Sequence, residues 1–142
     1  MAAGRKKVKR FVLDVNSYIT LFINSETDWL LQYVVKNKIE VFIDHNLLVE
    51  LARVLGYPKV KKLLPLDAFA YINFVRLIST QIESKAFHIQ SPDPDDNYLL
   101  DIALSANAKM IVTGDQALLN WELSPVETIN LAKFKKLFRS AR

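Results

Sequence analysis

Four acidic residues, Asp14, Glu50, Asp96 and Asp115, stand where strand and helix patterns would bring them to one rim of a sheet. Asp14 ends the apolar run Phe11-Val12-Leu13, and Asp115 follows Ile111-Val112-Thr113-Gly114. An acid pinned against a buried strand is costly unless something pairs with it. Each acid also has an ordinary use. Asp14 and Asp115 suit helix caps, and Glu50 suits a surface pair with Arg53 worth a few tenths of a kcal/mol. In Ser91-Pro92-Asp93-Pro94-Asp95-Asp96-Asn97, Asp93 suits the N-cap, Pro94 the first helical position, and Asp95 and Asp96 the positive end of the helix dipole. Helical spacing separates these acids: Asp96 shares a face with Leu100 and Ala103 and is aimed at the sheet, whereas Asp101 shares one with Asn97 and Ser105 and is expected to be solvated.

Capping explains each acid singly but not their gathering. Two carboxylates about 5 Å apart repel by roughly 3 kcal/mol at an effective dielectric near 20. Four mutually close ones would rival the ~5–15 kcal/mol stability of a whole domain, unless pKa values rise or a cation intervenes. All-oxygen ligation favours Mg²⁺ or Mn²⁺ over zinc. His45 and His88 lack metal-ligand spacing to each other, and His88 is expected in a strand or the core. With no cysteine, thiol nucleophiles and cysteine-bearing metal sites are excluded. No glycine-rich phosphate loop and no Gly-x-Ser-x-Gly nucleophile motif is present.

The elements that must position these acids alternate. A strand over Val8–Val15 is followed by a helix that starts at the capping-box-like Ser25-Glu26-Thr27-Asp28 and continues through Trp29, Leu30, Tyr33 and Val34. Ile39–Ile43 reads as a second strand. Asp44 can cap a helix ending at Leu55 and Gly56, Lys59–Leu64 a helical turn, and Asp67 a helix through Ile78. Phe87–Gln90 reads as a short strand, residues 94–107 as a helix, Met110–Thr113 as a strand, and a last strand near Thr128 leads into a basic helix from Leu131. Continuously apolar strands separated by helices predict an α/β fold of three α/β/α layers, with a mainly parallel sheet of about five strands. In such sheets ligands bind beyond the carboxyl ends of the strands.

At 142 residues the chain is long enough for one domain spanning 1–142 with its own core, about residues 8–138, and basic termini. Residues 1–10 carry Arg5, Lys6, Lys7, Lys9 and Arg10; residues 133–142 carry Lys133, Lys135, Lys136, Arg139 and Arg142, with no acid in either segment. That leaves nine basic against fifteen acidic residues between them. Basic ends around an acidic centre suit a polyanion held beside a metal site, and Arg5, Lys6, Lys7, Lys9, Arg10, Lys135, Lys136 and Arg139 are the candidates to hold it. The longest stretch without a charge is eleven residues, Val15 to Ser25, too short to span a bilayer, and no signal segment is evident. A cytoplasmic protein without membrane contact is the expectation. Phe69, Tyr71, Phe74 and Leu77 suggest a homodimer or higher homo-oligomer, although crowding of one core explains them equally.

Phe11-Val12-Leu13-Asp14-Val15-Asn16, Glu50-Leu51-Ala52-Arg53-Val54-Leu55, Asp93-Pro94-Asp95-Asp96-Asn97 with Ala103 and Ala106, and Val112-Thr113-Gly114-Asp115 together resemble the PIN-domain ribonucleases. The similarity is nearest to the bacterial and archaeal toxins of toxin–antitoxin pairs and covers roughly residues 8–138. The resemblance implies that Asp14, Glu50, Asp96 and Asp115 hold Mg²⁺ or Mn²⁺ directly or through water, with Asn16 and Thr113 in support and Asp93 as cap or ligand. Val15 departs from the pattern, since threonine is common there. The implied activity is metal-assisted hydrolysis of phosphodiester bonds in single-stranded RNA, leaving 5′-phosphate and 3′-hydroxyl ends, with an antitoxin protein as partner. The basic residues of the two ends would then bind the RNA, and Tyr57 and Trp121 are candidate stacking partners for its bases, although packing against the protein accounts for both aromatics better. The alternative is a catalytically weak PIN-fold module that binds RNA or docks a partner protein.

Overall fold

Apolar runs become strands and amphipathic stretches become helices in the computed structural model, which describes residues 8–139. The order is β1 (Lys9–Leu13), α1 (Val15–Ile23), α2 (Thr27–Val35), β2 (Ile39–Ile43), α3 (His45–Leu55), α4 (Pro58–Lys61), α5 (Ala68–Ile78), β3 (Ser79–Gln81), α6 (Asn97–Ala106), β4 (Met110–Val112), α7 (Gln116–Leu119), β5 (Glu127–Ile129) and α8 (Leu131–Arg139). One 3₁₀ turn, Pro94–Asp96, leads directly into α6.

The strands form one all-parallel sheet in the order β3-β2-β1-β4-β5. β1 is central, and chain order departs from it in both directions, so a crevice opens between the ends of β1 and β4. Successive β1 residues point to opposite faces. On one face the Phe11 ring meets Phe134 and Phe138 of α8, with centroids 5.0 and 5.8 Å away, and Trp29 of α2 packs on Phe134 at 5.6 Å. On the other, Arg10 Nη1 donates to the Ala106 carbonyl of α6 at 2.9 Å. Helices therefore cover both faces, in a three-layer α/β/α arrangement. Phe11, Val12, Leu13, Val41, Ile43, Ile111 and Val112 are sealed from solvent, which explains why the strands read as continuous rather than alternating apolar runs. Among the described residues no helix is long and apolar enough to cross a membrane.

Several expectations are corrected. Phe87–Gln90 is not a strand, and the edge strand is instead Ser79–Gln81, paired with Val41–Ile43. His88 takes a φ of 56°, which breaks extended backbone, and its side chain is exposed, in neither a strand nor the core. The nearby backbone finds donors' partners on α6: Phe87 N–H donates to Asp101 Oδ1 at 2.9 Å, and Lys85 N–H to Ser105 Oγ at 2.8 Å. Asp101 is thus an anchor for the 82–91 segment and not merely solvated. A helix absent from the sequence reading, α1, starts straight after Asp14. The expected capping box at residues 25–28 does not form: α2 begins at Thr27 without a side-chain cap, and Glu26 instead accepts from Lys135 Nζ at 2.6 Å. On α5, Phe69 and Leu77 are 71% and 79% exposed, whereas Tyr71 is buried and lies 4.6 Å from the Phe22 ring.

Candidate metal centre

Parallel pairing of β1 with β4 aligns Leu13 with Val112, so the residues after each strand meet at the same rim. Asp14 caps α1: its Oδ1 accepts the Ser17 N–H at 2.7 Å, and Ser17 Oγ donates to the Val112 carbonyl at 3.3 Å. Its Oδ2 accepts the Thr113 hydroxyl at 2.6 Å. The same hydroxyl oxygen accepts the Asp115 N–H at 3.1 Å. Buried Thr113 therefore ties the β1 acid to the β4 acid, and Asp14 is only 7% exposed. Asp115 in turn caps α7 through an Oδ1 contact of 3.0 Å to the Ala117 N–H.

Asp93 and Asp96 reach this rim from the turn before α6. Asp93 caps the turn by accepting the Asp95 N–H at 3.0 Å, and Asn97 Oδ1 fixes the approach by accepting from the Ser91 backbone N–H at 3.0 Å and from the Ser91 hydroxyl at 2.6 Å. Asp96 makes no capping bond, consistent with its face pointing inward. One carboxylate oxygen from each of Asp93, Asp96 and Asp115 lies within 4.8 Å of the others. Asp96 Oδ2 is buried, with no hydrogen-bond partner. Burial first, then the neighbouring carboxylates of Asp115, Asp93 and Asp14, pushes Asp96 up to about 8, while contact with Asp96 and the α7 N–H groups pulls Asp115 down. The opposed directions describe one proton held between two carboxylates that cannot both ionise cheaply. A divalent cation would serve there in place of the proton. The donor set is all oxygen, and the orphaned Asp96 oxygen is an acceptor without a donor, so the residues present fit Mg²⁺ or Mn²⁺.

A cleft of about 600 Å³ opens beside the group, lined by Asp14, Asn16, Glu50, Asp95 and Asp96 among others. Glu50 lies on its wall, with its carboxylate held by Arg53: Nε donates to Oε2 at 3.1 Å, and Nη2 bonds to Oε1. The expected surface pair and a cleft position thus coexist. Of the acids singled out from sequence, Asp96, Asp115 and Asp93 form the tight group, Asp14 joins it through Thr113, and Glu50 stands apart on the wall. Val15 and Asn16 also line the cleft. Sequence reasoning missed Asn46, Asp95 and Tyr98 as lining residues. Asn46 had a signal, one helical turn before Glu50 on the polar stripe of α3; Tyr98 had none. The Tyr98 hydroxyl is pushed up by burial and then by Asp14, Glu50, Asp96 and Asp44, a second reporter of acids converging on this cleft. Asp44, 2% exposed after β2, caps α3 and accepts the Ser84 hydroxyl at 2.6 Å, so its oxygens are engaged.

None of the described basic residues of the two end segments is among the residues lining the cleft. Arg5, Lys6 and Lys7 fall outside the described residues. Lys9 and Arg10 begin β1, four or five residues before Asp14 and so about 13–17 Å down the strand. Arg10 is 3.6 Å from Glu40 and bonded to α6. Lys135 is bound by Glu26, Lys136 is a neighbour on α8, and Arg139 ends that helix. Tyr57 is 41% exposed and packs on Arg53, and Trp121 is half-buried against the core.

The acid-lined crevice thus lies at the switch point of a parallel sheet. The PIN-domain family model matches residues 10–117, and the chain belongs to the PIN-domain family. The crystal structure of PAE2754 from Pyrobaculum aerophilum shares the fold, with a TM-score of 0.58 at 16% sequence identity, over 94% of this chain and 90% of that one. No curated protein matches the sequence significantly.

Proposed function

We propose that this PIN-domain protein is a metal-dependent endoribonuclease that hydrolyses phosphodiester bonds of single-stranded RNA, acting as the toxin of a toxin–antitoxin pair. The observation that carries the nuclease reading is the buried, unpartnered Asp96 Oδ2 within a set of three converging carboxylates. Membership of a family whose members are typically nucleases supports the same chemistry. The toxin assignment, and with it a cognate antitoxin, rests on the resemblance of the motif order alone.

Asp93, Asp96 and Asp115 would hold the ion, with Asp14 and Glu50 adding negative charge around it. Bound Mg²⁺ or Mn²⁺ supplies charge stabilisation on phosphoryl oxygens and a lowered pKa for attacking water. Thr113 fixes Asp14 and the Asp115 backbone, so neither has to reorganise when substrate arrives. Asn16 presents an amide donor on the cleft wall, suited to phosphate oxygens, whereas the Asn46 amide already donates to Asp44 Oδ2 at 3.3 Å. Asp96, whose pKa is pushed up by burial and neighbouring acids, would have to release its proton to ligate the ion, so binding would strengthen as pH rises towards 8.

The test is cleavage of end-labelled single-stranded RNA. The wild type should cut with Mn²⁺ or Mg²⁺, leave 5′-phosphate ends and stop with chelator, and Asp14→Asn should bind RNA equally but not cut it. A substituted protein as active as the original overturns the proposal. Growth arrest on expression, relieved by an adjacent open reading frame, tests the toxin role separately.

A further inference from the structure

We propose that the exposed strip from Arg53 through Tyr57 to Lys59, Lys61 and Lys62 binds the backbone and a base of a single-stranded nucleic acid where it leaves the acidic cleft; this rests on the nuclease reading. The cleft poses an electrostatic problem for a polyanion. Its lining carries Asp14, Glu50, Asp95 and Asp96 and a single basic residue, Arg53. Strand flanking the reacting phosphate is repelled unless cations await it at the mouth. Arg53 stands at that mouth near the end of α3, its guanidinium 5.4 Å over the Tyr57 ring. Tyr57 immediately precedes α4, which begins with Pro58.

α4 makes one turn, so Lys59 and Lys62, three residues apart, project from one side. Both are exposed, as is Lys61, and no acid lies within ion-pairing distance of any of the three among the described residues. Arg10 and Lys135 contrast with them, since both are already paired; Arg53 is paired too, with Glu50, so its part in the strip is to hold the Tyr57 ring while the lysines meet the phosphates. Arg53 lines the acidic cleft, whereas Leu55, two residues on, lines a second groove of about 510 Å³ together with Lys61. The end of α3 is thus a saddle between two depressions, with cations and an aromatic ring on its crest. Interleaved basic and aromatic side chains are what a single strand needs, phosphates on the ammonium groups and a base on the ring.

The experiment is fluorescence anisotropy of a labelled single-stranded oligonucleotide with the full chain in chelator, from 50 to 300 mM salt, with RNA and DNA of one sequence as separate arms. Lys59→Gln/Lys62→Gln should lower the slope of log affinity against log salt by about 1.4, at ~0.7 per lost phosphate contact. Tyr57→Ala should weaken binding about 5- to 100-fold, and Tyr57→Trp should restore it. Lys36→Gln/Lys38→Gln removes the same charge at the opposite rim, just before β2, and should leave the slope unchanged. Loss in either arm supports the strip, and the arm with tighter binding identifies the sugar preferred. Strip variants that bind as wild type, or a control pair that loses as much, overturn it. If the wild type still cuts RNA in that case, the strip alone is refuted; a wild type that neither binds nor cuts refutes the nuclease reading and the strip with it.

Discussion

Replacing Asp96 by Asn should change how the metal-free protein responds to pH, with a sign set by the direction of its pKa. Asp96 sits at about 8 when folded and near the ordinary carboxylate value when unfolded. Its stabilising proton is therefore fully present below about pH 4 and is lost as pH rises through 8. At 1.36 kcal/mol per pH unit, the interval from 5.5 to 8 would cost about 3.4 kcal/mol for a fully coupled group. Asp96 is only half-buried, and solvent screening reduces this to about 1–2 kcal/mol. Asp115, displaced downward, titrates below this window and does not oppose the trend. For a chain of this size that is a fall of about 3–8 °C in Tm. Asp96→Asn cannot titrate, and its amide can donate where the protonated acid does. Melting curves in chelator at pH 5.5, 7 and 9 should show the wild type losing those degrees relative to the variant. With saturating Mn²⁺ the difference in slope should vanish. Parallel curves in chelator would refute the reasoning, because the carboxylates would then not be close enough to hold a proton between them.

Thr113→Val should lower Tm by about 3–8 °C and weaken Mn²⁺ binding, because a buried Asp14 oxygen and the Asp115 N–H lose their common partner, a loss of about 1–2 kcal/mol; melting with and without Mn²⁺ checks it, and Thr113→Ser should retain both properties. Lys135→Met should destabilise by about 1–2 kcal/mol, measured by urea unfolding in a double-mutant cycle with Glu26→Gln, since the pair is bonded at 2.6 Å and both side chains are largely covered. Glu50→Gln should leave Tm within about 2 °C, because its Arg53 pair is largely exposed, yet should reduce RNA cleavage in a Mn²⁺-supplemented assay.

The fold was legible where burial is two-sided. Phe11–Leu13, Val41–Ile43 and Ile111–Val112 carry no polar interruption, so their pattern alone marks central parallel strands. The edge was not legible: Ser79-Thr80-Gln81 has no apolar signal, because a three-residue edge strand needs only backbone pairing to β2. Phe87–Gln90 had the alternation of a strand, but the Phe87 N–H goes to Asp101 on α6 and the chain turns at His88, whose φ is 56°. α1 was hidden because its nine residues carry no charge, and so none of the charged periodicity that marks a half-exposed helix. In the site, capping and convergence proved to be the same feature and not rivals. Asp14 and Asp115 each spend one oxygen on a helix N-terminus, and that bond orients the other. Helical phase set Asp96 apart from Asp101 only in part, because Asp96 lies in the 3₁₀ turn before α6 and Asp101 accepts the Phe87 N–H. The engagement of Lys135 with Glu26 did not, because nothing local links residues 109 positions apart.

The most direct test of the carboxylate group as a cation site is Mn²⁺ binding followed by the electron paramagnetic resonance signal of the free ion, at pH 7.5 and without RNA. Wild type should take up Mn²⁺, Asp96→Asn and Asp115→Asn should each bind at least about tenfold more weakly, and Asp28→Asn, an exposed acid on α2, should match wild type. Equal affinity in all four proteins would contradict the account.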